Sequence, residues 1–290
     1  MTVPSAVPMR RGLFLLAIAA SAWGSGGAVA ETLYRTTGLG PIAVCWWRLL
    51  IGAVVLTVAR AKRPVAADWR AALPIGIGLA IAQASYFGAI SDVGVAIATM
   101  VTLGAGPLLV AVGARFALGE RLTPLGVVAV LVALVGLVLL TGGAGTAGPH
   151  PASGVGLALL AAAAQAATTV LSRRTGGRGA DTTAVCWIGA IGLVPLAVAA
   201  GVVPQFGQPI HTVGWLIYLG VVPTALAYPM FFAGLTTVPA MVASVITLLE
   251  PVTAAVIAVG LLGERLTMSA VAGAIVLLAG VTVTSVTTRK

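Results

Sequence analysis

The sequence predicts an all-α polytopic membrane protein with ten transmembrane helices arranged as two inverted five-helix repeats. Three observations lead to this fold class: the apolar composition, the distribution of Lys and Arg among the predicted loops, and a hexapeptide that occurs once in each half. Apolar residues make up 59% of the 290 residues and charged residues 8%, whereas a soluble domain carries about 25% charged residues. Such a chain cannot cover its surface with polar groups, so the lipid bilayer is its expected partner.

Runs of about 18 or more apolar residues with few charges are typical of membrane-spanning helices. Such runs follow one another along this chain with little between them. The ten predicted spans lie near 12–31, 40–60, 70–90, 94–116, 124–141, 153–173, 182–202, 212–234, 239–261 and 268–286. The first also resembles a cleavable signal peptide, because Arg10 and Arg11 precede it and Ala28-Val29-Ala30 ends it. We interpret it as a span, since it is long for a signal core and the topology requires it.

The basic residues define an orientation. With both termini in the cytoplasm, Arg35 and Arg265 fall outside and Arg48 lies within the second span. Thirteen fall inside: Arg10, Arg11, Arg60, Lys62, Arg63, Arg70, Arg115, Arg121, Arg173, Arg174, Arg178, Arg289 and Lys290. Because cytoplasmic loops carry the excess of Lys and Arg, this distribution predicts a multi-pass protein of the inner (plasma) membrane with cytoplasmic termini.

Several other classes of function are disfavoured. The net charge of +9 lies in short loops between spans, which argues against a nucleic-acid partner. Cys45 and Cys186 lie inside apolar runs without metal-ligand spacing. No catalytic cluster and no phosphate-binding glycine loop occurs, so we expect neither an enzyme nor a cofactor nor direct coupling to ATP.

The hexapeptide LGERLT occurs at 118–123 and at 262–267. The repetition extends further, since YFGAISDVGVAIATMVTL (86–103) lies over FFAGLTTVPAMVASVITL (231–248), and Val-Cys-Trp occurs at 44–46 and 185–187. Each half is therefore predicted to be one unit: 12–141 and 153–286, joined by the linker 142–152. Because five helices is an odd number, the second unit enters the membrane upside down, an arrangement typical of secondary transporters.

Within each copy, Gly allows a helix to end and Thr caps the next helix, so we interpret LGERLT mainly as a connector. At this point the chain resembles the EamA type of the drug/metabolite transporter superfamily over nearly its whole length. The resemblance rests on Trp23-Gly24, Pro41, Arg48, Tyr86-Phe87, Val93 through Ala98, Pro107, Leu249-Glu250-Pro251 and both LGERLT copies. It implies a transporter that exports small metabolites, often amino acids, by alternating access. The second half lacks counterparts of Trp23-Gly24 and Arg48, so roles of those residues would be asymmetric.

Polar groups at mid-bilayer depth are costly and usually face a cavity or a partner. Arg48, Gln83, Gln165 and Glu250 meet this description. Arg48 has two possible roles. In a structural role it snorkels to the interface or pairs with a carbonyl, whereas in a functional role it gates transport or binds a substrate anion. Glu250 is either functional or one half of a structural pair. Pro251 lacks an N–H and frees a carbonyl beside it.

The repeat adds further candidates for a cavity. Thr99 and Thr102 overlay Ser244 and Thr247, each pair on one helix face, although such hydroxyls also hold helices together in lipid. Gln83 overlays Tyr228 and shares a face with Tyr86. The predicted cavity residues are Trp23, Arg48, Gln83, Tyr86, Thr102, Gln165, Tyr228, Thr247 and Glu250. Trp23 is either a cavity wall or a packing aromatic.

These observations favour a secondary transporter of the inner membrane that exports a small metabolite, such as an amino acid or related compound. Uptake, efflux of lipophilic drugs, and a membrane protein without transport activity are the alternatives. Proton coupling and a homodimer both stay open at this point.

Overall fold

The computed structural model describes residues 8–61, 68–120, 124–141, 150–175, 181–204, 209–262 and 267–287. Within these residues the chain forms twelve α-helices and one π-helical turn, Val221–Leu226, between the eighth and ninth. The helices are α1 (Met9–Thr37), α2 (Pro41–Arg60), α3 (Trp69–Val93), α4 (Val95–Ala117), α5 (Pro124–Thr141), α6 (Pro151–Arg174), α7 (Thr182–Ala200), α8 (Pro209–Gly220), α9 (Ala227–Leu235), α10 (Ala240–Ile246), α11 (Leu249–Leu262) and α12 (Met268–Thr287).

Eight helical segments of the described chain are long and apolar enough to cross a membrane, and two of them combine consecutive helices, at Ile210–Leu235 and Ala240–Gly260. Two shorter apolar helices, Gly126–Thr141 and Met268–Thr284, correspond to the predicted spans 124–141 and 268–286. The all-helical, multi-pass membrane class is therefore confirmed. The second hexapeptide lies outside the described residues, apart from Leu262 and Thr267.

The predicted spans 212–234 and 239–261 are not the single regular helices that we expected. Pro223 has no N–H to bond the carbonyl of Leu219, and the hydroxyl of Thr224 donates to that carbonyl instead, at 2.9 Å. In the second case Pro251 cannot bond the carbonyl of Thr247, which instead accepts the N–H of Glu250 at 3.0 Å. The helix consequently breaks at residues 247–248, so the freed carbonyl expected beside Pro251 finds a local partner.

The first helix is longer than predicted. It continues to Thr37 and ends at Gly38, which has a φ of +67°, so Arg35 lies in the last helical turn rather than in a loop. The prediction failed because hydropathy marks the edge of the apolar run, whereas the helix ends at the left-handed glycine. Similarly, α8 begins at Pro209, three residues before the predicted span 212–234, and His211 is an exposed residue of its first turn.

Each helix of the first half packs on helices of the second half. α1 contacts α9 and α11, α2 contacts α7 and α8, α3 contacts α6 and α7, α4 contacts α6 and α10, and α5 contacts α12. Glycines bring helix backbones close together at several crossings. A Cβ at Gly24 of α1 would lie 2.8 Å from Cβ of Thr253, and one at Gly52 of α2 would lie 2.9 Å from Cβ of Thr224. The space left between the two halves contains the cavity described below.

The first hexapeptide copy ends α4 as its sequence predicts. Gly119 has a φ of +67°, which favours glycine, and the N–H of Leu118 still bonds the carbonyl of Ala114 at 3.0 Å. In the second copy, Thr267 accepts the N–H of Ala270 at 3.2 Å and so caps α12 as predicted.

Candidate functional site

A cavity of about 140 Å³ lies between the two halves of the chain. All nine residues that the sequence analysis selected line it. The lining consists of Trp23, Arg48, Ala82, Gln83, Tyr86, Thr102, Leu103, Ala161, Gln165, Tyr228, Thr247 and Glu250. These side chains come from α1, α2, α3, α4, α6, α9, α11 and the break after α10, so the cavity requires helices of both halves to pack together.

One wall of the cavity is aromatic. The ring of Trp23 lies 5.3 Å from that of Tyr228 and 5.1 Å from that of Phe231, measured between centroids, and both pairs are tilted. The indole N–H of Trp23 donates to the carbonyl of Pro223 at 2.9 Å. In a regular α-helix the N–H of Ala227 would bond the carbonyl of Pro223. At the π-helical turn this N–H bonds the carbonyls of Val222 and Thr224 instead, so the carbonyl of Pro223 is left for Trp23. The turn therefore fixes the orientation of Trp23.

Three hydroxyl groups at the cavity have protein partners. Tyr86 and Thr99 share a hydrogen bond of 2.7 Å between their hydroxyl oxygens. Thr102 donates to the carbonyl of Ala158 at 3.2 Å and so joins α4 to α6. Thr247, at the break after α10, donates to the carbonyl of Ser244 in the last turn of that helix at 2.7 Å. For Thr102 the geometry matches the helix-joining alternative, although its oxygen retains acceptor capacity.

Four other polar groups at the cavity have unused hydrogen-bonding capacity. In the described part of the chain, the side chains of Gln83, Gln165 and Glu250 have no hydrogen-bond partner. The Nε of Arg48 is buried and also has none, and its Nη2 reaches only the weak acceptor Sγ of Cys45, at 4.0 Å. A buried polar atom without a partner, such as this Nε, is costly, whereas Gln83, Gln165 and Glu250 are half-buried. A bound polar molecule would supply the missing partners.

A basic side chain, Arg48, and an acidic one, Glu250, line the same cavity, yet they do not pair. Both residues are described, and no salt bridge within 4.0 Å joins them. Glu250 follows the break at residues 247–248 and lies in the first turn of α11. The break thus helps to determine where the carboxyl group lies on the cavity wall.

The sequence analysis missed three lining residues: Ala82, Leu103 and Ala161. Each lies next to, or one turn from, a polar residue that was selected, but small apolar residues give no signal of their own in an apolar helix. Both cysteines are buried and free. Among the residues that the structure describes, no three His, Cys, Asp or Glu side chains lie close enough to hold a metal ion.

A second charged contact lies where α2 ends and α7 begins. Arg60 donates to the carboxylate of Asp181 and to Thr183, and Asp181 accepts the N–H of Thr183 at 3.0 Å and caps α7. Burial raises the pKa of Asp181, but the hydrogen bond and charge of Arg60, together with the N–H groups of Ala184 and Thr183, outweigh it. The net pKa of Asp181 is therefore below its usual range.

Comparisons with known proteins agree with this architecture. The model of the EamA-like transporter family matches residues 10–142 and, again, residues 152–286. The "Uncharacterized transporter YwfM" of Bacillus subtilis (strain 168) is 31% identical over 287 residues, which cover 96% of this chain and 94% of that protein. An "Uncharacterized transporter" of Archaeoglobus fulgidus is 26% identical over 85% of this chain and 87% of its own.

Solved structures share the fold, and one crystal structure among them illustrates it. It is 22% identical, aligns with a TM-score of 0.81, and the alignment covers 96% of this chain and 97% of that one. The two family matches together extend over nearly the whole sequence, one in each half. This chain belongs to the EamA-like transporter family.

Proposed function

We propose that this membrane transporter is an alternating-access exporter of a small zwitterionic metabolite of the amino-acid class. The observation that carries the proposal is the placement of Arg48 and Glu250 on one cavity without an ion pair between them. A zwitterion has one carboxylate and one ammonium group. Its carboxylate would accept hydrogen bonds from Arg48, and its ammonium group would donate to Glu250.

The physical argument concerns the cost of burying charge. An isolated charge in an apolar interior is strongly disfavoured unless an opposite charge or hydrogen bonds compensate it. A bound zwitterion would compensate Arg48 and Glu250 at once, whereas a purely anionic or cationic ligand would compensate only one. The amides of Gln83 and Gln165 provide further donors and acceptors for the ligand.

The size of the cavity supports a small substrate. Its volume is about 140 Å³, and an apolar cavity of about 150 Å³ is known to hold benzene in another protein. An amino acid with a small or medium side chain is of comparable size. We expect the substrate side chain to lie against Trp23 and Tyr228, because aromatic rings bind apolar groups on their faces.

Ten spans in two inverted repeats remain part of this proposal. Its support comes from eight segments of spanning length, two shorter apolar helices, and a family model that matches once per half. The excess of Lys and Arg in alternate loops favours cytoplasmic termini in the inner membrane. Halves related by an axis in the membrane plane would open the cavity to each side in turn.

Counterflow in proteoliposomes tests the proposal directly. Vesicles loaded with one unlabelled amino acid at a time would be diluted into the same labelled compound across a broad panel. We expect transient accumulation for at least one zwitterion and none for empty vesicles. Counterflow that is confined to uncharged or singly charged compounds would contradict the zwitterion assignment.

The direction of transport needs intact cells. If the protein exports its substrate, overexpression should lower the intracellular substrate level and protect cells from a toxic analogue. Sensitisation to that analogue would show uptake instead.

Efflux of lipophilic cations is the second candidate, and the aromatic wall favours it. Trp23 and Tyr228 together with the carboxylate of Glu250 suit a cation that has an apolar body. Under this alternative Arg48 would have no ligand group to bind. Counterflow of a quaternary ammonium dye without any counterflow of amino acids would favour it.

A further inference from the structure

Glu120 lies just beyond α4, at the end of the bundle where α6 and α9 also end and α10 begins; we call this the latch end. The N–H of Glu120 donates to the carbonyl of Ala114 at 3.2 Å across the left-handed Gly119, so a backbone hydrogen bond closes the turn that ends α4. This ending places the carboxylate beside α10, where Oε2 accepts the N–H of Ala240 at 3.1 Å. The first hexapeptide is thus more than a connector.

Arg173, near the end of α6, binds the other end of the turn between α9 and α10. Its Nη1 donates to the carbonyls of Leu235 and Thr236 at 2.8 and 2.7 Å, and its Nε donates to Oε1 of Glu120 at 3.4 Å. The guanidinium therefore caps the end of α9, and the carboxylate caps the start of α10. Side chains from the two halves of the chain hold both ends of one turn.

The element that they hold is the hairpin of α9 and α10, residues 227–246. Irregular backbone bounds it on both sides: the π-helical turn Val221–Leu226 precedes it, and the break at residues 247–248 follows it. Both irregularities lie at the depth of the cavity, because Tyr228 and Thr247 line it. Helix irregularities of this kind are typical hinge positions.

Apolar packing fills the space between the latch end and the cavity. Val242 and Ile246 of α10 are 7% and 2% exposed. α1 packs closely on the hairpin, since a Cβ at Gly12 would lie 2.9 Å from Cγ2 of Val238. The buried residues of α10 therefore lie between the cavity, which Thr247 lines, and the latch end, where Ala240 lies.

We propose that Glu120 and Arg173 form a latch that holds the α9–α10 hairpin against α4 and α6, and that its release opens the cavity at this end. The inference rests on the proposed transport function, in which the cavity opens to each side in turn. Glu120 and Arg173 are then positioning residues, since neither lines the cavity.

The exposure of the two side chains suits a reversible contact. The side chains of Arg173 and Glu120 are 24% and 21% exposed, so water can reach both when the hairpin moves away. A fully buried pair would leave uncompensated charges on opening, whereas a partly hydrated pair exchanges protein partners for water at small cost. The latch therefore stabilises one state without preventing the other.

Accessibility of a thiol under the latch tests this proposal without knowledge of the substrate. In Val242→Cys protein, purified in detergent so that both ends are accessible, the rate of alkylation by a polar maleimide would be measured. Protein without the substitution gives the background of the two buried native cysteines. Arg173→Ala and Glu120→Gln are each combined with Val242→Cys, and Arg174→Ala is the matched control, because Arg174 is the exposed neighbour of Arg173.

We expect both latch variants to raise the alkylation rate about tenfold or more, the effect of losing one hydrogen bond to a charged group, while Arg174→Ala leaves it unchanged. Arg173→Lys, which keeps the charge but not the fork of donors, should give an intermediate rate. Unchanged rates in both latch variants, or an equal rise in Arg174→Ala, would overturn the latch. If one latch variant does not fold, the rate in the other decides. If the alkylation rate rises but no amino acid shows counterflow, the latch stands and only the proposed substrate is contradicted.

Discussion

Arg48 of α2 and Glu250 of α11 line one cavity, and no salt bridge within 4.0 Å joins these two described residues. Opposite charges in a low-dielectric interior attract strongly, so a fold that keeps them apart maintains that separation through packing. The break at residues 247–248 and the α1–α11 crossing at Gly24 both help to fix the position of Glu250. The separation leaves both groups available to a ligand.

Substitution of Glu250 by Gln removes the charge and nearly preserves the shape. We expect Glu250→Gln to abolish net transport while the protein still inserts and folds, as measured by flux and by size-exclusion chromatography. If Glu250 binds the substrate ammonium group, counterflow fails too. If it carries a coupling proton, counterflow persists and loses its pH dependence.

The matched control for this substitution is Asp68→Asn, because Asp68 is an exposed carboxylate whose side chain does not cap α3. It should transport like the parent protein. Parental net flux in Glu250→Gln would show that Glu250 is only a packing residue.

Gly24 and Gly27 lie on the same helix and differ in their surroundings. A Cβ at Gly24 would collide with the carbonyl oxygen of Glu250 and lie 2.8 Å from Cβ of Thr253, whereas a Cβ at Gly27 meets nothing within 4 Å. We expect Gly24→Ala to lower the free energy of unfolding by about 1–3 kcal/mol, the usual cost of overpacking. Gly27→Ala should raise it by about 0.5–1 kcal/mol, because alanine favours the helix. Equal effects in an SDS unfolding titration would argue against the α1–α11 contact.

Asp181 should make stability depend on pH. Its pKa is lower in the folded protein than in the unfolded chain, so its contribution is fully present above the unfolded pKa of about 4. That contribution is lost as the pH falls through the folded pKa. Thermal unfolding should therefore show Asp181→Asn less stable than the parent by a constant amount from about pH 5 upward. The difference should shrink below about pH 4, and a difference that grows on acidification would refute the Arg60–Asp181 contact.

The two hexapeptides should lie on opposite sides of the membrane. Reporter fusions truncated after Leu122 and after Leu266 would measure this, since the first should report the cytoplasm and the second the outside. Reporters on one side would rule out the inverted repeat and the ten-span topology together.

Much of the cavity could be predicted from sequence because polar residues are scarce in these apolar runs. Arg48, Gln83, Gln165 and Glu250 stand out against such a background, and the register of the repeat added Tyr228. Ala82, Leu103 and Ala161 could not be selected in the same way, since every apolar helix face contains similar residues. That the nine selected residues bind a substrate stays a prediction.

The irregular helices and the latch depend on tertiary contacts that no local pattern shows. Pro223 and Pro251 mark weakened helices, but the carbonyls that they free are taken by the side chain of Thr224 and by the N–H of Glu250. The sequence marked Glu120 only as part of a connector. Its pairing with Arg173, 53 residues away, requires that α4 and α6 pack together.

Ligand analogues that lack one charge test the zwitterion site most directly. Two analogues would compete with the labelled amino acid identified by counterflow for binding to the purified protein. Its methyl ester lacks the carboxylate, and its deaminated acid lacks the ammonium group. The parent protein should bind the amino acid about tenfold or more tightly than either analogue. Arg48→Gln should lose its preference over the ester, and Glu250→Gln its preference over the acid. If both variants instead keep the parental order of affinities, Arg48 and Glu250 do not bind the two charges of the substrate, and the central claim is wrong.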